Sequence, residues 1–314
     1  MRPLLPYYGG KQHMAKRIVD LLPRHTVYVE PFCGGASVFS KKPWPPVSNN
    51  DHYREVLNDL DGRVVNLYRV AKDPDAFAEF QILVTAPRSR AEHSRAKEYL
   101  RNNPEPLQSI DPEAAAAYWV ATVQSFGCIC GAGWRTCVFK DNSSATYLRK
   151  IERLPEYLDR MLGVHLESRD AIDVIKTWDS PQTLFYCDPP YPGADQRGYK
   201  HPYTQENLAE LCQALDECNG SFALSCYANE AVPGHWTKHE FESHCAVSCK
   251  GTTGAGRDKT KAATDLGDRK RTECVWVMDR SDDARGQCKA IWKKWAEKGF
   301  QWGGDKRNYA VGCT

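Results

Sequence analysis

The chain has 314 residues, with 42 Lys and Arg against 40 Asp and Glu and a formal charge of +2. That balance excludes a uniformly basic nucleic-acid coat and an acidic tail protein, while leaving room for local basic patches. Hydrophobic residues at 41% and charged residues at 26% exclude a disordered chain and match a soluble globular one. No apolar run approaches the roughly 18 residues that a membrane helix needs. Pro3 and Pro6 interrupt the amino terminus, so no conventional secretion signal is expected. The 13 cysteines are odd in number and scattered, which points to reduced thiols in a cytoplasmic compartment. Cys128 with Cys130 and Cys245 with Cys249 fit zinc spacings poorly, so buried structural thiols are expected instead of a metal site.

In chain order, Lys16–Leu22 has the apolar spacing of a short helix, ended by Pro23. Thr26–Glu30 is a β-rich run that stops at Pro31 and a glycine pair, as a central strand does on entering a ligand loop. Val64–Val70 predicts another helix, giving an α/β start. From about residue 73 the texture becomes helical, with Arg88, Arg90, Arg95, Lys97 and Arg101 opposed only by Glu92 and Glu98, and an alanine-rich helix near 114–119. Phe126–Arg135 is glycine-punctuated and reads as loop. Strand texture returns at Val164–Ser168, Thr183–Cys187, Ser221–Cys226 and Glu273–Met278, with a helix over Asn207–Leu215. Lys250–Arg271 holds seven basic and three acidic residues and reads as a loop, and the last thirty residues have no assignment.

The sharpest motif is Asp188-Pro189-Pro190-Tyr191, directly after an apolar strand. Two prolines cannot continue a ladder, and they fix φ near −65°, so the turn is stiff. The Asp188 carboxylate and the Pro189 carbonyl are then two rigid acceptors at the carboxyl edge of a sheet, where open α/β folds bind ligands. Such a pair suits a planar group bearing an NH₂; the alternative is an ordinary strand exit with a solvated aspartate. Glu30-Pro31-Phe32-Cys33-Gly34-Gly35-Ala36 allows close backbone approach to a ligand. It lacks the G-x-G-x-x-G of a dinucleotide fold, which argues against a dehydrogenase. Tyr7-Tyr8-Gly9-Gly10-Lys11 falls short of a phosphate-cradling P-loop. Asp59 and Asp170, near strand ends, are candidates to accept from hydroxyl or amino groups; taken singly, each better suits a helix cap or turn.

In this order, Tyr7-x-Gly-Gly-Lys11, Glu30-Pro-Phe-x-Gly-Gly35, Asn58-Asp59, an insert, Asp170 and Asp188-Pro-Pro-Tyr191 resemble the Dam-like (D12 class) DNA adenine-N6 methyltransferases. The resemblance covers roughly residues 5–72 and 162–230 and extends more weakly to Arg271–Val277. Ala36 stands where many members have a further glycine, and the cysteine-rich insert and the tail match nothing in the family pattern. The resemblance implies a Rossmann-like methyltransferase sheet with helices on both faces. Residues 1–72 and 162–280 would form the catalytic domain, 73–161 an inserted helical target-recognition domain, and 281–314 a basic segment of unassigned role.

It further implies methyl transfer from S-adenosylmethionine to adenine N6 in double-stranded DNA, leaving S-adenosylhomocysteine, with no metal. By similarity, Tyr7 and Lys11 would hold the methionine part, with Phe32 and Gly34 beneath it. Asp59 would take the ribose and Asp170 the adenine amine of the cofactor. Asp188, Pro189, Pro190 and Tyr191 would form the catalytic loop, with Asp188 also beside the cofactor. The target base would flip out of the duplex and stack on Tyr191. DNA contacts would come from Arg88, Arg90, Arg95, Arg101 and Arg135, and from Lys250, Arg257, Lys259 and Lys261. A cytoplasmic protein of bacterial, archaeal or phage origin is expected, with room for a cognate restriction endonuclease acting on the same site. Alternatives are cytosine N4 as acceptor, a protein amide or RNA as acceptor, and a catalytically silent DNA-binding module.

Overall fold

Short, largely apolar strands need cover on both faces, and Val27–Glu30 (β1), Thr183–Cys187 (β4) and Ser221–Cys226 (β5) are buried throughout. With Arg54–Asn58 (β2), Val164–Glu167 (β3), Thr237–His244 (β6) and Lys270–Met278 (β7) they form one seven-stranded sheet in the order β3-β2-β1-β4-β5-β7-β6. The first five strands run parallel, and β7 is antiparallel to both β5 and β6. The computed structural model describes residues 1–44, 53–103, 109–135, 143–244, 270–281 and 287–300.

The pleat sorts alternate side chains to two cores. Tyr28, Leu57, Leu184, Tyr186, Ala223 and Val275 belong to one. Val29, Val56, Phe185, Cys187, Leu224 and Cys274 belong to the other. This is the expected Rossmann-like sheet with helices on both faces. The first face is covered by Ala15–Val19 (α1), Ser37–Lys41 (α2) and Gly62–Lys72 (α3). The second is covered by Ala171–Trp178 (α9) and Gln205–Glu217 (α10), through Val174, Ile175, Leu208, Leu211 and Leu215.

Between β2 and β3 come Pro74–Val84 (α4), Arg90–Asn102 (α5), Pro112–Val123 (α6), Ser143–Ile151 (α7) and Glu156–Met161 (α8). Asp73 and Asp111 cap α4 and α6, each followed by proline in the first turn, where its missing N–H costs nothing. These helices extend the core of the first sheet face: Phe77, Phe80, Trp119 and Tyr147 are buried in the cluster that holds Tyr28 and Leu57. The Trp119 indole donates to the Leu4 carbonyl at 3.0 Å, tying the insert to the amino-terminal segment.

Two strands carry little apolar signal. β2 begins Arg54-Glu55, and buried Glu55 is held by Lys42 at 2.6 Å and by both guanidinium nitrogens of Arg160. The two cations hold Glu55 down at about 2 against the upward push of burial, and burial holds Lys42 down at about 8. β6 lies on the sheet edge, where polar side chains are tolerated. Within the carboxyl-terminal segment, Gln287–Glu297 (α11) buries Trp292 and Trp295. Trp292 donates to the His25 carbonyl at 2.9 Å, and Trp295 meets Tyr53 edge-on at 5.4 Å, beside the starts of β1 and β2.

Candidate active site

Parallel strands bring their carboxyl ends to one edge, and here four of them end in or near carboxylates: Glu30 closes β1, Asp59 follows β2, Asp170 follows β3 and Asp188 follows β4. The sheet order reverses between β1 and β4, the position at which open α/β sheets form a ligand crevice. A cleft of about 1230 Å³ lies there, lined by all of Tyr7, Lys11, Phe32, Gly34, Asp59, Asp170 and Asp188. Pro190 lines it as well. Pro189 and Tyr191 are buried behind that surface.

At its centre is a four-residue cluster. Lys11 Nζ is 3.0 Å from Asp188 Oδ1 and 4.0 Å from Glu273 Oε2, with 6% of the lysine side chain exposed. It also donates to the Gly9 carbonyl at 2.9 Å. The Tyr191 hydroxyl lies 3.2 Å from Asp188 Oδ1 and 3.0 Å from Glu273 Oε2, so its single proton serves one carboxylate at a time. Expected to offer a stacking face, the Tyr191 ring is instead 8% exposed, with Tyr227 edge-on at 4.7 Å and the Lys11 ammonium 4.7 Å over it. Burial raises the Asp188 carboxyl above its usual range and Glu273 adds to this, while Lys11 and Tyr191 oppose it. Burial would lower Lys11, yet Asp188 and Glu273 outweigh it and leave the ammonium more basic than usual.

The motif search did not single out Glu273. Antiparallel pairing of Cys226 with Cys274 sets it one residue beyond the end of β5, level with the site. A lone glutamate opening the otherwise apolar Cys274–Met278 run was the available signal.

The glycine turn after β1 is tightly packed. A Cβ on Gly35 would lie 2.6 Å from the Leu5 carbonyl, and Gly34 has φ +44° against the Tyr7 ring. Ala36 is left-handed as well, at φ 47°. Asp59 accepts from the Gly34 amide at 2.8 Å and the Asp61 amide at 2.9 Å; burial still pushes it up to about 7. Glu30 accepts from the Tyr28 hydroxyl and the Phe39 amide, and burial pushes it up to about 8. Asp170 is exposed and caps α9 through the Ile172 amide, while the Phe32 ring meets Tyr203 edge-on at 5.6 Å. The cleft wall carries six acidic side chains (Glu30, Asp59, Asp61, Asp170, Asp188, Glu210), of which burial pushes Glu30 up to about 8 and Asp59 to about 7, against Lys11, Arg169 and Lys200. That excess fits a ligand bearing cationic and hydroxyl groups better than a polyphosphate.

Of the proposed DNA contacts, Arg90, Arg95 and Arg101 lie exposed on α5. Arg88 and Arg90 both face the Trp134 ring, at 4.7 and 4.8 Å, and Arg88 donates to the Arg135 carbonyl. Arg95 pairs with Glu92 at 3.2 Å, and the Arg101 guanidinium folds back toward the Lys97 carbonyl. Lys250, Arg257, Lys259 and Lys261 lie outside the described residues. The eight described cysteines are free thiols, six of them buried. No group of metal-ligating side chains occurs among the described residues.

A family model described as D12 class N6 adenine-specific DNA methyltransferase matches residues 7–244, about three-quarters of the chain. No curated protein matches it. Among solved structures it is similar to the rRNA methyltransferase aviRa from Streptomyces viridochromogenes. The identity is 11% over 90% of this chain and 89% of that one, with a TM-score of 0.34, too distant to bear on function.

Proposed function

The chain belongs to the D12 class of N6 adenine-specific DNA methyltransferases, and on that premise we propose that it methylates adenine N6 in double-stranded DNA using S-adenosylmethionine. The observation carrying this is Asp188, a half-buried carboxylate just after β4, followed by two prolines and lining an acidic cleft. S-adenosylmethionine supplies a methyl group on a positively charged sulfur, and the acid-rich wall suits that charge. Asp59 would accept from its ribose hydroxyls and Asp170 from its adenine amine. Tyr7, Phe32 and Gly34 would enclose the methionine part, and Lys11 would sit where that part meets Asp188.

The target nitrogen has its lone pair delocalised into the purine ring and is a weak nucleophile. Asp188 and the Pro189 carbonyl would accept its two N–H bonds, turn the lone pair out of the ring plane and hold it in line. Positive charge growing on nitrogen is stabilised by the carboxylate in a site shielded from water, and alignment makes the displacement effectively unimolecular. With its carboxyl raised by burial, Asp188 is suited to accept the proton that the amine sheds. Tyr191 would act through its hydroxyl, fixing Asp188 and Glu273. Because N6 is out of reach inside the duplex, the adenine must flip out.

Residues 1–72 and 162–280 would carry the chemistry and 73–161 the target recognition, with DNA held by Arg88, Arg90, Arg95, Arg101 and Arg135. No helix among the described residues is long and apolar enough to cross a membrane, and DNA as substrate favours a cytoplasmic setting. The test is incubation with cofactor labelled in its methyl group and long duplex DNA, followed by nucleoside analysis. Label in N6-methyladenine is expected. Label in N4-methylcytosine overturns the acceptor, and cofactor binding without transfer makes the chain a silent module.

A further inference from the structure

A second hollow, of about 1190 Å³, opens on the other side of the amino-terminal segment from the cleft. Pro6 and Gln12 line it, while their chain neighbours Tyr7 and Lys11 line the cleft. Its wall carries Arg2, Arg88, Arg135, Arg149, Lys150 and Arg153, and no carboxylate is among the described residues that line it. The two hollows thus differ in sign, one acid-rich and the other basic among the described residues that line it.

Six cations around one concavity repel each other, and the fold holds several of them in place. Arg88 lies over the Trp134 ring and donates to the Arg135 carbonyl. The Tyr157 hydroxyl donates to the Arg2 carbonyl, fixing the backbone of that residue. Arg149, Lys150 and Arg153 share α7 and the turn after it. Burial lowers the Lys150 ammonium, and Arg2, Arg135 and Arg153 lower it further against an opposing effect of Cys128. A polyanion relieves this repulsion, and six cations around one concavity can neutralise several charges of a strand, more than a single small anion carries.

Resting on the DNA substrate argued above, we propose that this basin seats consecutive backbone phosphates of duplex DNA. It is a phosphate site separate from the exposed arginines of α5, and it places the DNA backbone across one segment of chain from the methyl-donor cleft. Its residues fix position and carry no sequence information.

The test is fluorescence anisotropy of a labelled 30-base-pair duplex at increasing NaCl, comparing the parent protein with the triple variant R149Q/K150Q/R153Q. Each lost phosphate contact lowers the slope of log affinity against log salt by about 0.9. A slope reduced by about 2.7 and affinity weakened at least tenfold at about 150 mM salt are expected. Cofactor affinity serves as the check on folding, and single R149Q, at an exposed position, should lower the slope by about 1 on its own. K238Q, which removes a surface cation already paired with Glu240, should leave the slope unchanged. Parent-like slope and affinity in both R149Q and the triple variant, from a parent that methylates duplex DNA, overturn the basin and leave the enzymatic assignment standing. A parent that neither binds nor methylates duplex DNA overturns both.

Discussion

The Lys11 ammonium, in the turn ahead of α1, sits 3.0 Å from Oδ1 of Asp188 at the end of β4, with only 6% and 18% of the two side chains exposed. The lysine expected to help hold the cofactor's methionine part is thus already engaged with a carboxylate of the chain itself. Lys11 therefore orients Asp188 and favours its carboxylate form, while burial still leaves the carboxyl above its usual range.

Replacing Asp188 by Asn keeps the shape and removes the charge. Transfer should fall by about 10²–10³-fold or more, while cofactor and DNA affinities stay close to those of the parent. Single-turnover transfer and separate binding titrations check this; a parent-like rate would remove Asp188 from the chemistry.

Transfer needs Asp188 as carboxylate, so activity is lost as pH falls through its raised pKa. Lys11→Met removes the attraction that lowers that pKa, and the acid limb of the pH–rate profile should move to higher pH. Glu273→Gln removes a repulsion that raises it, and the limb should move to lower pH. Opposite displacements in the two variants are the expected result, read from single-turnover rates between about pH 5 and 9.

Glu30 titrates near 8 in the fold against 4.5 for the free group. Between those values the folded state binds more protons than the unfolded state, so stability falls as pH rises. The loss from this group is about 1.4 kcal/mol per pH unit. Glu30→Gln keeps an oxygen to accept from Tyr28 and Phe39 and should flatten the fall. Melting temperatures of both proteins from about pH 5 to 8.5 provide the check.

Ala36, at φ 47° and 2% exposed, occupies backbone space that glycine enters without strain. Relief of about 1–2 kcal/mol is offset by about 0.8 kcal/mol for one buried methyl and by the entropy of glycine. Ala36→Gly should therefore stay within about 1 kcal/mol of the parent. Ala36→Val, β-branched at positive φ, should lose more than about 2 kcal/mol. Urea unfolding distinguishes the two.

Much of the sheet was legible because strands covered on both faces must be apolar throughout: β4 and β5 coincide with the runs picked from sequence, and β1 and β7 nearly so. β2 escaped because Glu55 reads as solvent-facing until Lys42 and Arg160, distant in sequence, arrive to pair with it. β6 has one apolar residue, Phe241, and owes its extended form to pairing with β7. The cleft residues were legible as motifs, since strand ends followed by glycine or proline mark a ligand edge. The pairing of Lys11 with Asp188 and the placement of Glu273 depend on tertiary register, which local pattern does not encode.

The indole of Trp292 bonds the carbonyl of His25, 267 residues earlier, just ahead of β1. Until α11 has docked, the aromatic floor under β1 and β2 stays wet, and His25, whose imidazole burial holds down at about 3, remains open to protonation. Glu273 of the catalytic cluster lies on β7, the element just before α11, so both the catalytic edge of the sheet and its opposite edge wait on the segment that follows β6.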